Sequence, residues 1–203
     1  MAKEVQTIKD FKKALEELPS DLEDLYRTIL SRVKYPHLVK DALMWIIGSD
    51  RELTTEELRG AIESESSEDK IFLHFEGFLQ REAGSLIQIS HLSKEQSIVR
   101  LIHGSLRDFI TEPNLCKDEN FLLPATAIQS NITIRCLRYL SICSSPDPFS
   151  KYAVHNWMEH FRQVKTSSDE FWLVIRELHF FLHGKGLDNW IKWEYERHMG
   201  TSE

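Results

Sequence analysis

The sequence predicts a mainly α protein: a winged-helix domain with a small β-hairpin wing, followed by an all-helical bundle or solenoid-like domain. Three observations carry this. Apolar residues recur at spacings of three and four through most of the 203 residues, as they do in amphipathic helices. The pattern turns strand-like at only two places, Leu86 to Ser90 and Ile98 to Ile102, on either side of the polar stretch HLSKEQS. Helices thus precede a two-stranded ribbon, one helix follows it closely, and only helices come after.

Thr7 caps a first helix running to about Leu18, with Ile8, Phe11, Ala14, Leu15 and Leu18 on one stripe. Pro19 stops it. Ser20 and Glu23 form a capping-box pattern, and Leu22, Leu25, Tyr26, Ile29, Leu30 and Val33 trace the apolar face of a second helix. Pro36 opens a third, which ends near Gly48. Thr54 and Glu57 repeat the capping box ahead of Leu58, Ala61 and Ile62, and the charged ESESSEDK is a surface turn. A fifth helix is expected from about Ser67 to Glu82, with Gly84 at its end. The ribbon comes next as a hairpin with a seven-residue loop.

Beyond Pro124 the helical spacing returns with Ala125, Ile128, Ile132, Cys136, Leu140 and Cys143, so both cysteines are expected as small buried apolar residues. SSPDP at 144–148 breaks the chain. Further helices are expected around Phe149 to Phe161, over Phe171 to Leu182, and from Leu187 to about Tyr195. The domains are accordingly 1–112, an N-terminal helix and winged helix, and 113–203, all helical.

Composition narrows the function. The formal charge of −7, from 32 acidic against 25 basic residues, disfavours nucleic acid and anionic membrane surfaces, because both reward neutralisation of phosphate. Between 50 and 70, where a recognition helix would lie, Asp50, Glu52, Glu56, Glu57, Glu63, Glu65, Glu68 and Asp69 stand against Arg51, Arg59 and Lys70. Such a surface repels DNA. Three cysteines without C-x-x-C spacing, and a charged start lacking an apolar signal core, point to a reducing compartment, the cytoplasm. No run approaches a membrane span.

No constellation for catalysis emerges. The only Gly-Lys pair, Gly184-Lys185, has His179 where a P-loop needs its first glycine, so Gly184 and Gly186 are read as helix-terminating residues. His103, Ser105 and Asp108 suggest a hydrolytic triad. On one short helix, however, residues two apart diverge, so the serine and histidine are expected not to meet. His179 and His183 share a helical face, as zinc ligands do, but H-E-x-x-H is absent and no third ligand is evident; no metal is expected. His155 and His160 are read as packing residues around Trp157. His103 differs in lying at a strand-to-helix junction. There an imidazole beside free helix N–H groups would face an anion, and the plainer alternative is a histidine bonded to local backbone.

Several stretches together resemble one family. TIKDFKKALEELPSDLEDLYRTIL is similar to the segment after the nucleotide-binding module of fungal NACHT-type STAND NTPases, with their L-P-x-x-L-x-x-L-Y-x-x-I-L. RELTTEEL resembles their R-P-L-T-x-x-E-L, with Glu52 in place of proline, and VRLIHGSLRDFI resembles V-x-x-I-H-x-S-x-x-D-F-L. RCLRYLS, YAVHNWMEHF and FLHGKGLDNWI resemble the later C-L-x-Y-L, Y-A-x-x-x-W-x-x-H and F-L-x-x-x-x-L-x-x-W-I. The first half resembles the type called the GPI inositol-deacylase winged helix, a label that carries no lipase activity here.

The resemblance implies a non-catalytic regulatory or scaffold piece of an NLR-like signalling switch, without its NTPase core. Its expected partners are a NACHT-type nucleotide-binding domain and a sensor domain of ankyrin, WD or TPR repeats. No cofactor is implied for this chain, but ADP or ATP is for a full-length relative. In related plant immune receptors a Met-His-Asp triplet of the winged helix contacts the β-phosphate of ADP. Ile102, His103 and Gly104 fall on that triplet, and Leu106, Arg107 and Asp108 match the L-x-R-D continuation of the motif. His103 is therefore the expected phosphate-sensing residue when an NTPase core is joined, although Gly104 replaces the aspartate. The alternatives are a stand-alone interaction module that docks on an NTPase in trans and, behind it, a DNA-binding winged helix.

Overall fold

The computed structural model describes residues 22–64, 72–93 and 96–199. The expected helix over 7–18 and the Ser20 capping box lie outside them. The described elements are α1 (Leu22–Leu30), α2 (Pro36–Gly48), β1 (Leu53–Thr54), α3 (Thr55–Glu63), α4 (Phe75–Ala83), β2 (Ile87–His91), β3 (Ser97–Leu101), α5 (Ser105–Thr111), α6 (Ala125–Ile142), α7 (Pro148–Arg162), α8 (Phe171–His183) and α9 (Lys185–Met199). Mainly helical, with one small antiparallel sheet, this is a winged-helix arrangement followed by a helical bundle.

Local chemistry sets several starts. Pro36 occupies the first turn of α2, where its missing N–H costs nothing. Thr54 Oγ1 accepts from the Glu57 amide at 3.1 Å and Glu57 Oε2 accepts from the Thr54 amide at 2.9 Å, so the expected capping box forms. A second box opens α7: Asp147 Oδ1 accepts from the Ser150 amide and Ser150 Oγ from the Asp147 amide, at 2.7 and 2.6 Å. The SSPDP break is also a helix start.

Three elements differ from expectation. Helix α4 begins at Phe75 rather than near Ser67; residues 65–71 lie outside the described ones, and Phe72 is held off helix by α3, its amide donating to Glu63 and its carbonyl accepting from Arg59. The ribbon gains a third strand, in the order β1-β3-β2, with Leu53 paired to Val99 and Thr54 to Ile98. Two residues are too few to show alternation. The hairpin is longer than expected, because His91 pairs with Ser97 and its Nδ1 lies 2.7 Å from Ser97 Oγ.

The buried side chains form one cluster that includes residues from both sides of position 112. At its centre Trp45 of α2 is fully buried against the Phe149 and Tyr152 rings of α7, edge-on at 5.3 and 5.9 Å. Two glycines let the parts approach. A Cβ on Gly48 would stand 2.4 Å from Ile132 of α6, and one on Gly60 would stand 2.6 Å from the Phe149 Cβ. Between the parts, Cys116, Phe121 and Leu123 are buried, and the Leu123 amide bonds the Ile110 carbonyl at 2.8 Å. Helix α6 then serves as the axis against which α7, α8 and α9 pack. Among the described residues, no helix is long and apolar enough to cross a membrane.

Candidate functional site

The β3–α5 junction is built by closing the ribbon and opening a helix within three residues. The Ile102 amide bonds the Leu86 carbonyl at 3.0 Å, and α5 starts at Ser105 with Gly104 as its N-cap. His103 lies between them, exposed. Its Nδ1 is 2.7 Å from Ser105 Oγ and 3.3 Å from the Ser105 amide nitrogen. An amide N–H only donates, so Nδ1 is an acceptor and the proton sits on Nε2. Ser105 Oγ in turn lies 2.8 Å from the Tyr26 hydroxyl, so the chain of donors runs Tyr26, Ser105, His103.

This corrects the expectation that His103 and Ser105 cannot meet. His103 precedes the helix, so helical divergence does not govern the pair. They still do not make a triad. The serine bonds Nδ1, the atom a triad gives to its carboxylate, and among the described residues no hydrogen bond joins the Asp108 carboxylate to either. The helix N–H groups are also engaged: Ser105 with Nδ1, Leu106 with the His103 carbonyl at 3.2 Å, and Arg107 with the Gly104 carbonyl at 3.0 Å. What His103 offers outward is its Nε2–H.

Beside the junction a cleft of about 530 Å³ runs between the end of α2, β3 and the start of α5, lined in part by Ser49, Arg51, Val99, Arg100, Gly104 and Arg107. Its three guanidinium groups are occupied. Arg51 grips both oxygens of Glu57 at 2.6 and 2.8 Å and lies over the Tyr152 ring. Arg107 donates to the Ile47 carbonyl at 3.0 Å, covering the C-terminal end of α2, and Arg100 donates to Gln88. Burial opposes ionisation of Glu57, but bonds from Arg51 and the Thr54 amide outweigh it and hold its carboxyl below the usual range. The acidic stretch that disfavours DNA is therefore partly neutralised locally, since Glu63 also pairs with Arg59 at 2.9 Å.

Behind the cleft lies a buried polar network. His160 Nδ1 is 2.7 Å from Gln129 Oε1, and its Nε2 is 2.7 Å from the Tyr152 hydroxyl. The Gln129 amide donates to the Gly48 carbonyl at 3.0 Å, and Ser49 Oγ meets Tyr152 at 2.9 Å. The donors form one consistent chain: Ser49 to Tyr152 to His160 Nε2, then Nδ1–H to Gln129 and on to Gly48. This network ties the end of α2 to α6 and α7. Burial pushes the His160 imidazole down to about 4, keeping it neutral, and pushes the Tyr152 phenol up.

The remaining histidines, glycines and cysteines divide between core and surface. His160 is buried, but His155 is exposed and bonds the Lys151 carbonyl, which corrects its reading as a packing residue. Trp157 packs on Phe181 and Trp190. Gly184 ends α8, whereas Gly186 lies inside α9, where a Cβ would stand 2.4 Å from the Phe181 ring; close packing rather than termination requires it. Cys136 is fully buried and Cys143 half-buried, its thiol pushed up to about 11 by burial. Among the described residues no three His, Cys, Asp or Glu side chains gather as a metal site. Sequence reasoning misses Gln129 and Ser49; the spacing of eight between Tyr152 and His160, which puts both on one face of α7, is the available signal.

No family model matches the sequence, and no curated protein or solved structure matches it.

Proposed function

We propose that the chain is a non-catalytic regulatory and scaffold module of a NACHT-type STAND NTPase switch, coupling the nucleotide state of an adjoining domain to a repeat-type sensor. The motifs in family order, from the Leu-Pro segment to FLHGKGLDNWI, motivate the reading. The observation that carries it is the joint. The cleft beside His103 and the helical part share Trp45, Gly48 and the Tyr152–His160 network, so a displacement imposed at one is passed to the other as movement of a packed body. In this reading His103 presents its Nε2–H to a phosphate held by the adjoining domain, and the site is cytoplasmic.

The test supplies a nucleotide-binding domain of that family separately and measures its retention by the full chain with ADP or a non-hydrolysable ATP analogue. Retention that differs between the two nucleotides and falls in His103→Ala is expected. Retention that does not depend on nucleotide, or ATP turnover by the chain alone that a substitution within it abolishes, overturns the proposal. Exposed Trp172, Phe180 and Tyr195 on α8 and α9 favour one variant of the reading, in which the chain docks in trans on a partner NTPase.

A further inference from the structure

Helix α8 turns Trp172, Arg176, His179 and His183 outward, spaced four, three and four and therefore stacked on one face. The two imidazoles lie over each other, their centroids 4.3 Å apart and their planes inclined by 23°. His183 Nδ1 is 2.9 Å from the His179 carbonyl oxygen. A carbonyl only accepts, so the His183 proton is on Nδ1 and the Nε2 lone pair is free. Histidines that hold metals show the same arrangement, in which a backbone carbonyl fixes the ring and its tautomer while the other nitrogen faces the ion.

We propose that His179 and His183 form a two-point clamp for a divalent transition ion of the nickel, copper and zinc class, bound through Nε2 of both rings. Imidazole nitrogens select this class over magnesium and calcium, which take oxygen ligands. Nitrogens on rings 4.3 Å apart reach an ion at about 2.0–2.1 Å from each after small side-chain rotations. The site is open. The nearest carboxylate, Glu177, is taken by Arg138 at 2.9 Å and Arg176 at 3.3 Å, so water or a donor from another molecule completes the shell, and Arg176 adds a positive charge that keeps binding exchangeable. The clamp exists only while both turns are helical. Helix α8 buries just Val174 and Phe181 among its described side chains, so the ion also holds the helix together. This inference is independent of the function proposed above.

The experiment is calorimetric titration of the tag-free full chain with Ni²⁺, with Mg²⁺ as a second titrant. One equivalent of Ni²⁺ with micromolar affinity and no Mg²⁺ binding is expected. Both rings are exposed, so His179→Gln and His183→Gln fold, and each weakens Ni²⁺ binding by roughly tenfold or more as the two-point attachment is lost. His155→Gln leaves it unchanged. Thermal melts give a second readout: Ni²⁺ raises the midpoint of the native chain and not that of His183→Gln. Equal affinity in the native chain and either single variant, an equal loss in His155→Gln, or no Ni²⁺-dependent shift in the native midpoint overturns the clamp.

Discussion

The Tyr152 hydroxyl donates to His160 Nε2 across 2.7 Å inside the core. That bond on α7 orients the other ring nitrogen, which donates to Gln129 of α6, and the end of α2 is held by the same chain. A proton on Nε2 would break it.

Stability should therefore depend on pH through His160. Burial lowers its pKa from 6.5 to about 4 in the folded chain, so below 6.5 the unfolded chain takes up a proton that the folded chain refuses. The stabilisation is complete above the unfolded value, declines as pH falls between about 6.5 and 4, and levels off below. It amounts to on the order of 2–3 kcal/mol. Urea melts across that range should show the slope, and His160→Gln should flatten it relative to the native chain. Parallel slopes in the two proteins would remove His160 as the cause.

Two glycine substitutions of equal helix propensity should differ in sign. Alanine favours a helix over glycine by about 1 kcal/mol. In α4 a Cβ at Gly77 meets nothing nearer than His74 Cβ at 3.9 Å, so Gly77→Ala should stabilise by up to about that amount. In α3 the Cβ of Gly60→Ala would stand 2.6 Å from Phe149 Cβ, and Phe149 is pinned between Trp45 and Tyr139. Overpacking of this kind costs about 1–3 kcal/mol. Net destabilisation of Gly60→Ala in denaturant melts is the expected outcome, and a stabilised Gly60→Ala would show that α3 and α7 can part freely.

The His103 ring should hold one tautomer. Nitrogen-detected NMR on histidine-labelled protein, with the ring neutral, should find Nε2 protonated and Nδ1 bare, because Nδ1 accepts from Ser105. Ser105→Ala removes the hydroxyl bond and should cost about 1 kcal/mol while letting the ring redistribute between tautomers. A native ring protonated at Nδ1 would contradict the Tyr26, Ser105, His103 order of donors.

Much of the fold is legible from short-range signals. Pro36, the Thr54–Glu57 box and Gly84 mark helix ends because the chemistry of a cap lies within four residues. The ribbon is legible as period-two alternation, but β1 is not, since a two-residue strand is defined by its partner Val99 and not by its own pattern. At the candidate site, His103 stands out by position alone. Its contact with Ser105 is hidden because helical spacing over 103–108 implies divergence, whereas α5 begins only at Ser105.

By itself the sequence determined which segments are helical, where many of them start, and that one histidine occupies a strand-to-helix junction. Those outcomes come from propensity, capping and periodicity, which act between neighbours. Tertiary structure alone decided the joint: Ser49 meets Tyr152 across 103 positions and Gln129 meets His160 across 31. Such pairs leave no local trace, because what joins them is the shared need of buried polar groups for partners once Trp45 and the close-approach glycines have brought the helices together.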